Sequence, residues 1–348
     1  MQAVILVGGE GTRLRPLTYA LPKPMVPLLG RPFIGWIIER FRTAGVDEAI
    51  LSCGYLPAAI QAHFGDGRAY GVRLKYVHEV EPLGTAGAIK NAVDHIDGTI
   101  FACNGDVLTS LDLVALLQDH RRQGAIATIH TRPVEDPSQF GVVETDAVGR
   151  VLRFVEKPKP GESSARDINA GTYVLEPAAL EAIPAGRPVS IERETFPQLI
   201  EKTGAVFARC TEDYWIDVGR PDTYRQAHHD ILDGRFAAPI GVEIAPSVWS
   251  ADGAPLPLGV EVRGPVYVGA GVELEPGASL EPYAVCYDGC SIGRDAIVAD
   301  SILWPGCSVG QGACVRGAIL GIDVAVDREA VVPPGAVLAS GESITRSR

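Results

Sequence analysis

Ala3-Val4-Ile5-Leu6-Val7-Gly8-Gly9-Glu10-Gly11-Thr12-Arg13-Leu14 opens the chain with an apolar run that passes straight into a glycine-rich loop. The run is short, rich in branched residues and bounded by glycine, the pattern of a strand buried on both faces. Gly8, Gly9 and Gly11 let the backbone approach a phosphate chain and turn its N–H groups toward it. Thr12 belongs to the same loop, and Arg13 can fork onto phosphate oxygens. Further on, Lys23 stands between Pro22 and Pro24, which hold this cation in a stiff segment. The loop lacks the Gly-Lys-Ser/Thr of a Walker A motif and does not match the dinucleotide fingerprint. Loop, arginine and proline-flanked lysine together are a specific phosphate signal.

Working outward, Ala49–Ser52, Leu74–His78, Ile100–Asn104 and Ala125–Thr131 read as further buried strands. Helical stretches lie between them. Pro32 takes a first-turn position, Phe33, Trp36, Ile37 and Phe41 share a face, and Gly45 closes that helix. Ser110 is the expected N-cap of a helix from Leu111 to Arg122. Such alternation implies an α/β fold with a Rossmann-like, mostly parallel sheet, whose ligands bind beyond the carboxyl ends of the strands.

The chain has 348 residues, 31 of them Lys or Arg and 43 Asp or Glu, for a net charge of −12. The length suggests two domains. The acidity argues against nucleic acid as a partner, since phosphate neutralisation needs a basic face. Seven cysteines, an odd number without C-x-x-C spacing, argue for a reduced chain and against a disulfide framework or zinc site. No apolar run approaches the roughly 18 residues of a membrane span, and Met1-Gln2 leads into the first strand without a basic leader. A cytoplasmic protein is expected.

Composition changes near residue 235. Residues 1–235 form the expected catalytic domain, and a Pro- and Ala-rich joint follows at 236–258. Val262, Val268, Leu274, Leu280, Cys286, Ile292 and Val298 then recur every sixth residue, with small or β-branched residues two places earlier and glycine or proline in nearly every unit. The phase slips near Trp304, resumes at Val309 and Val315, slips again, and returns at Leu320, Val326, Val332 and Leu338. Hexapeptide periodicity marks a parallel β-helix, here over residues 259–340 with a tail at 341–348. Many such proteins are acyltransferases that use a histidine base. All seven histidines precede the repeats, so a stalk that joins copies of the chain into a homo-oligomer is favoured.

In this order the chain resembles the sugar-1-phosphate nucleotidyltransferases, or nucleotide-sugar pyrophosphorylases. The likeness is carried by the opening loop and by Glu81-Pro82-Leu83-Gly84-Thr85-Ala86-Gly87, Asn104-Gly105-Asp106, Phe154-Val155-Glu156-Lys157-Pro158, Asn169-Ala170-Gly171-Thr172-Tyr173 and Trp215-Ile216-Asp217-Val218-Gly219. Within the family it looks most like the mannose-1-phosphate guanylyltransferases, which also carry a hexapeptide domain. The resemblance implies that this domain is a left-handed β-helix. It implies that Asp106 and Asp217 bind the metal, with Mg²⁺ suited to hard carboxylate oxygens. It also implies that Lys157 holds the sugar phosphate and Glu156 accepts from the sugar's ring hydroxyls, with Gly141, Asn169 and Gly171 lining that pocket, and that Pro82, Gly84 and Thr85 pass the nucleotide. Tyr173 and Trp215 are left between the sugar and the core.

Glu79, five residues before Gly84, stands where thymidylyl and uridylyl relatives commonly carry glutamine. One carboxylate can accept from both N1–H and the N2 amine of guanine, whereas the two acceptors of thymine or uracil repel it. This favours GTP. The expected reaction is attack of a sugar 1-phosphate oxygen on the α-phosphorus of a nucleoside triphosphate. Arg13 is assigned to the β- and γ-phosphates, Lys23 to the α-phosphate, Lys157 to the sugar phosphate, and Mg²⁺ on Asp106 and Asp217 to the reacting oxygens. Glucose or heptose 1-phosphate, UTP or dTTP, and a non-catalytic nucleotide-sugar sensor stay open as alternatives.

Overall fold

A computed structural model describes residues 1–346. The chain divides into two compact units, one of Met1–Glu10 with Ile34–Trp215, the other of Gly11–Phe33 with Ile216–Arg348. The chain crosses from one unit to the other inside the glycine-rich stretch, between Glu10 and Gly11.

The first unit is built on a nine-stranded sheet. Gln2–Val7 lies at its centre, parallel to Glu48–Cys53 on one side and Ile100–Asn104 on the other, with Arg73–His78 parallel beyond Glu48–Cys53. Ala3, Val4 and Ile5 are fully buried, as an all-apolar run between two paired neighbours requires. The register sets Val7 beside Cys53, Cys53 beside His78 and Leu6 beside Asn104. The segments after these residues, bearing Gly8, Glu79 and Asp106, therefore leave the sheet on one edge. Asp167–Leu175 runs antiparallel to Ile100–Asn104 and carries the rest of the sheet.

Two local expectations are corrected. Pro32 belongs to a short strand pair, Pro27–Leu28 with Arg31–Pro32, and the helix begins at Phe33. The later helix spans Leu113–Gln123 and is capped by Asp112, whose side chain accepts from the Ala115 N–H at 2.9 Å. Ser110 lies two residues too early to take the capping position, and its hydroxyl instead accepts from the Tyr214 N–H.

The second unit holds the repeats. Short parallel strands stack into three flat faces. One face stacks Val248–Ser250, Val266–Val268, Val285–Cys286, Ile302–Leu303, Ile319–Leu320 and Val337–Leu338. The other two run from Glu261–Val262 to Val331–Val332 and from Glu273–Leu274 to Ser343–Ile344. This stacking fits a left-handed β-helix. The joint 236–258 supplies two strands, Val242–Ala245 and Val248–Ser250, and the tail 341–348 supplies the last strand, Ser343–Ile344; Ser347 and Arg348 lie outside the described residues. The sixth-residue positions point inward: Val268, Leu274, Leu280, Cys286, Ile292, Val298, Val309, Val315, Leu320, Val326 and Val332 form one buried core. The phase slips have a simple cause. Tyr267 pairs with Val285 eighteen residues on, but Val285 with Ile302 and Ile302 with Ile319 only seventeen on. One residue is missing at the corner around Asp300 and one at the corner around Gly317. Leu303 thus takes the inward position, and Trp304 is buried outside that core. Among the described residues no helix is long and apolar enough to cross a membrane.

Candidate active site

In the first unit, the carboxylate of Glu79 is pinned at both oxygens. Oε1 accepts from the Ser52 hydroxyl at 3.0 Å, and Oε2 from the Leu83 N–H at 3.1 Å. A carboxylate has about four acceptor positions, so two bonds leave capacity for a ligand. Gly84, with φ of +69°, begins the helix Gly84–Asn91, and a Cβ there would lie 2.7 Å from the Val189 carbonyl. Thr85 donates its hydroxyl to Glu192 Oε2 and accepts from the Ile191 N–H, both at 2.8 Å. Gly84 and Thr85 are thus engaged with the segment Val189–Glu192, while Pro82 is exposed.

That segment was not legible as part of the site. It enters a π-helical turn, Ile191–Thr195, a distortion common at functional sites. Ser190 caps the turn and donates to Glu192 Oε2 at 2.7 Å. Glu192 in turn faces Glu156. Burial, and then the Glu192 charge, raise the Glu156 carboxyl above its ordinary pKa, against the pull of Lys157 and Arg193. The only sequence signal was Ser190 ahead of two glutamates, which reads as an ordinary helix start.

Glu156 ends the strand Val151–Glu156 opposite Gly141. A Cβ on Gly141 would come within 2.8 Å of Glu156 Oε2 and 2.7 Å of the Phe154 ring, so the bare glycine makes room for both. Lys157 follows with φ of +51°, a left-handed conformation that a lysine adopts at a strain, and its side chain is exposed. Its N–H is tied to the Phe140 carbonyl at 2.9 Å. Asn169 accepts from the Gly171 N–H at 3.0 Å and donates to the Tyr173 hydroxyl at 2.8 Å. The strand bulges between Asn169 and Tyr173, and Gly171, at φ of +74°, packs against the Asn104 amide. Tyr173 is fully buried against Phe196, which assigns it to the core. Trp215 is half-buried and donates to the Ala170 carbonyl at 2.9 Å. Asp106, half-buried, follows Gly105 just beyond the strand Ile100–Asn104.

In the second unit, Gly11 turns the chain at φ of +64° into a short turn, Thr12–Leu14. Its carbonyl accepts from the Thr18 hydroxyl at 2.8 Å. Leu14 and Leu17 are buried below, which leaves Thr12 and Arg13 exposed. Lys23 opens a second turn, Lys23–Met25, and is buried. A Cβ on Gly11 would touch Lys23 Cβ at 2.9 Å. Likewise a Cβ on Gly219 would meet Arg13 Nη2 at 2.7 Å and Asp217 Oδ1 at 2.8 Å, so this glycine keeps open a cradle that a guanidinium and a carboxylate share. Arg13 also lines a cavity of about 510 Å³ with Arg220 and Arg225. The second unit therefore gathers Gly11, Thr12, Arg13, Lys23 and Asp217, and the first unit carries Gly8, Gly9, Glu79, Asp106, Glu156 and Lys157.

Among the described residues, no group of three or more His, Cys, Asp or Glu side chains could hold a metal ion. The Asp217 carboxylate, which shares the space beside Gly219 with Arg13, suits a hard ion that takes most of its ligands from phosphate and water.

A mostly parallel sheet in one unit and a β-helix in the other are the architecture of a nucleotidyltransferase with a hexapeptide-repeat domain, and comparison with known proteins agrees. The chain belongs to the nucleotidyl transferase family, whose profile matches residues 2–234, and residues 262–347 match the GMPPB C-terminal domain. It is a nucleotidyltransferase; enzymes of this family generally use a divalent metal. It is 39% identical over 300 residues to a mannose-1-phosphate guanylyltransferase of Mycobacterium tuberculosis, covering 86% of this chain and 83% of the relative. Mannose-1-phosphate guanylyltransferase 1 of Arabidopsis thaliana is 36% identical over 98% of this chain and 97% of its own. A UTP–glucose-1-phosphate uridylyltransferase of Synechocystis is 33% identical over 87% of this chain and 83% of its own. The crystal structure of HddC from Yersinia pseudotuberculosis complexed with GMP-PN superposes with a TM-score of 0.57 at 32% identity, covering 66% of this chain and 99% of that one.

Proposed function

We propose that this chain is a mannose-1-phosphate guanylyltransferase, which joins GTP and mannose 1-phosphate to give GDP-mannose and pyrophosphate. The observation that carries the reading is the likeness to mannose-1-phosphate guanylyltransferase 1 over nearly the whole chain, β-helix included. A carboxylate at residue 79, with acceptor capacity left after its two bonds, supports guanine as the base.

The nucleophile needs little activation, because a phosphate monoester has its second pKa near 6. What must be overcome is repulsion between two anions. Arg13 receives the β- and γ-phosphates and Lys23 the α-phosphate. Lys157 holds the sugar phosphate, and Glu156 accepts from ring hydroxyls. An oxygen of the sugar phosphate forms the new bond to the α-phosphorus as the bond to the β-phosphate oxygen breaks, and pyrophosphate leaves with that electron pair. Gly8, Gly9, Gly11 and Thr12 wrap the triphosphate, with Pro82, Gly84 and Thr85 beside the base, while Gly141, Asn169 and Gly171 shape the sugar pocket. Asp106 and Asp217 would hold Mg²⁺, which neutralises phosphate charge. The protein acts in the cytoplasm as a homo-oligomer joined through the β-helix.

The test is a matrix of GTP, UTP and dTTP against mannose, glucose and heptose 1-phosphates, scored by pyrophosphate with and without Mg²⁺. GTP with mannose 1-phosphate should lead by at least tenfold in kcat/KM. A lead for UTP with glucose 1-phosphate would move the assignment to the uridylyltransferases, and no turnover with any pair would favour a sensor.

A further inference from the structure

A buried polar network in the second unit ends on the backbone that follows Lys23. Pro27–Leu28 and Arg31–Pro32 pair as a hairpin whose two turn residues, Leu29 and Gly30, have φ of +42° and +85°. Leucine does not favour that conformation, so the turn is held from outside. The Leu29 N–H donates to the Tyr287 hydroxyl at 2.7 Å, and the Pro27 carbonyl accepts from the Tyr224 hydroxyl. Tyr287 lies on the β-helix, and Tyr224 on the helix Pro221–Leu232, which begins just after Asp217 and Gly219.

The protons can be assigned. His228 Nδ1 lies 2.9 Å from the Tyr224 carbonyl, which can only accept, so Nδ1 carries hydrogen. Burial lowers the His228 pKa to about 3, so the ring is neutral and Nε2 accepts. The Tyr287 hydroxyl must then donate to Nε2, 2.9 Å away, while it accepts from Leu29. Tyr224 repeats the pattern: it donates to Pro27 and accepts from Trp304 Nε1–H at 2.9 Å. Each hydroxyl is thus oriented by a β-helix or helix partner and spent on the hairpin. The hairpin is tied onward, since the Phe33 N–H donates to Val26, the Val26 N–H to Lys23, and Lys23 packs on Gly11.

We propose that Tyr287 and Tyr224, oriented by His228 and Trp304, are positioning residues for Lys23, so that the β-helix takes part in catalysis by setting the amino-terminal cation. The inference rests on the role proposed for Lys23. It gives the carboxyl-terminal repeats a task inside each chain, apart from oligomer formation.

Tyr287→Phe and Tyr224→Phe keep the rings and remove the hydroxyls. Tyr283→Phe is the control, since its hydroxyl donates to Asp233 and not to the hairpin. Each network variant should lower kcat about tenfold, the worth of one buried hydrogen bond. KM for the sugar 1-phosphate should stay within about twofold, and the control should match wild type. Hydrogen exchange at the Leu29 amide should quicken in Tyr287→Phe, and Tyr287→Phe should add nothing further in a Lys23→Ala background. If Tyr287→Phe does not fold, Tyr224→Phe is read in the same way, with exchange across residues 25–31. Wild-type kcat in both network variants, or an equal loss in the Lys23→Ala background, overturns the inference. Wild-type protein that releases no pyrophosphate sinks the proposed function, whereas unaltered Leu29 exchange sinks this inference alone.

Discussion

Gly8 lies so close to Glu79 that a Cβ on the glycine would sit 2.7 Å from Glu79 Oε1. The end of the first strand and the residue assigned to the base are therefore in contact. Gly8→Ala must displace a carboxylate already bonded to Ser52 and Leu83. One strained or lost hydrogen bond costs about 1 kcal/mol. The variant should lose roughly that much in urea unfolding and show a raised KM for the nucleotide. An unchanged KM would mean that Glu79 does not face the base.

Glu79→Gln tests base choice more directly. The amide supplies one donor and one acceptor in place of two acceptors, which suits uracil or thymine better than the paired donors of guanine. kcat/KM for GTP should fall by about tenfold or more, with UTP or dTTP gaining relative to it. The ratio GTP to UTP under competing conditions is the measurement. A ratio unmoved by the substitution removes Glu79 from specificity.

Lys23→Ala and Asp106→Ala should each lower turnover by about two orders of magnitude or more, as the loss of an electrostatic stabiliser does. Lys23 is buried beside Gly11, so its circular dichroism and melting curve should be recorded with the kinetics. A folded variant that releases pyrophosphate at near wild-type rate would take that residue out of the mechanism.

The repeat region was legible because one physical rule repeats: each flat face must send one small apolar side chain into a narrow core. Val268, Leu274 and Leu280 follow from that rule alone. The sequence period slips near Trp304, whereas the shortened corner lies just before it, around Asp300. In the sheet, apolar runs gave the strands, but Ser110 and Asp112 are both good caps, and only geometry chooses between them. That the candidate site residues carry phosphate-binding and carboxylate chemistry was legible in the sequence. The service of Thr85 to Glu192 and Ile191 was not, since that contact joins segments more than a hundred residues apart and leaves no local pattern.

Glu156 gives a prediction that couples stability to function. Its carboxyl pKa is raised in the fold, chiefly by burial and next by Glu192. A raised carboxyl favours the protonated form, so its contribution to stability is present below the unfolded value of about 4.3 and is lost as pH rises. At pH 7 the fold holds an ionised group at a disadvantage. Glu156→Gln should raise Tm by about 1–3 °C at pH 7, with the difference vanishing near pH 4. The same change should weaken the sugar 1-phosphate, raising its KM by about tenfold. A lower Tm at pH 7 would show that the Glu156 charge stabilises the fold.

His130 and His228 act in the opposite sense. Burial, the first cause for each, lowers both pKa values to about 3; Arg40 and Arg132 add to the shift at His130. Both rings are neutral in the fold, whereas an unfolded histidine takes up a proton near pH 6.5. Their contribution to stability is therefore present above pH 6.5 and is lost as pH falls toward 3. Each histidine should remove about 1.4 kcal/mol per pH unit below 6.5, so the urea midpoint should drop steeply between pH 6.5 and 5. His130→Gln should lower stability at pH 7, because the Nε2 contact to the Thr211 hydroxyl at 2.9 Å is altered, but its pH slope should be smaller by about one proton. A midpoint that stays flat from pH 7.5 to 5 would mean that these rings are solvated and protonate freely in the folded protein.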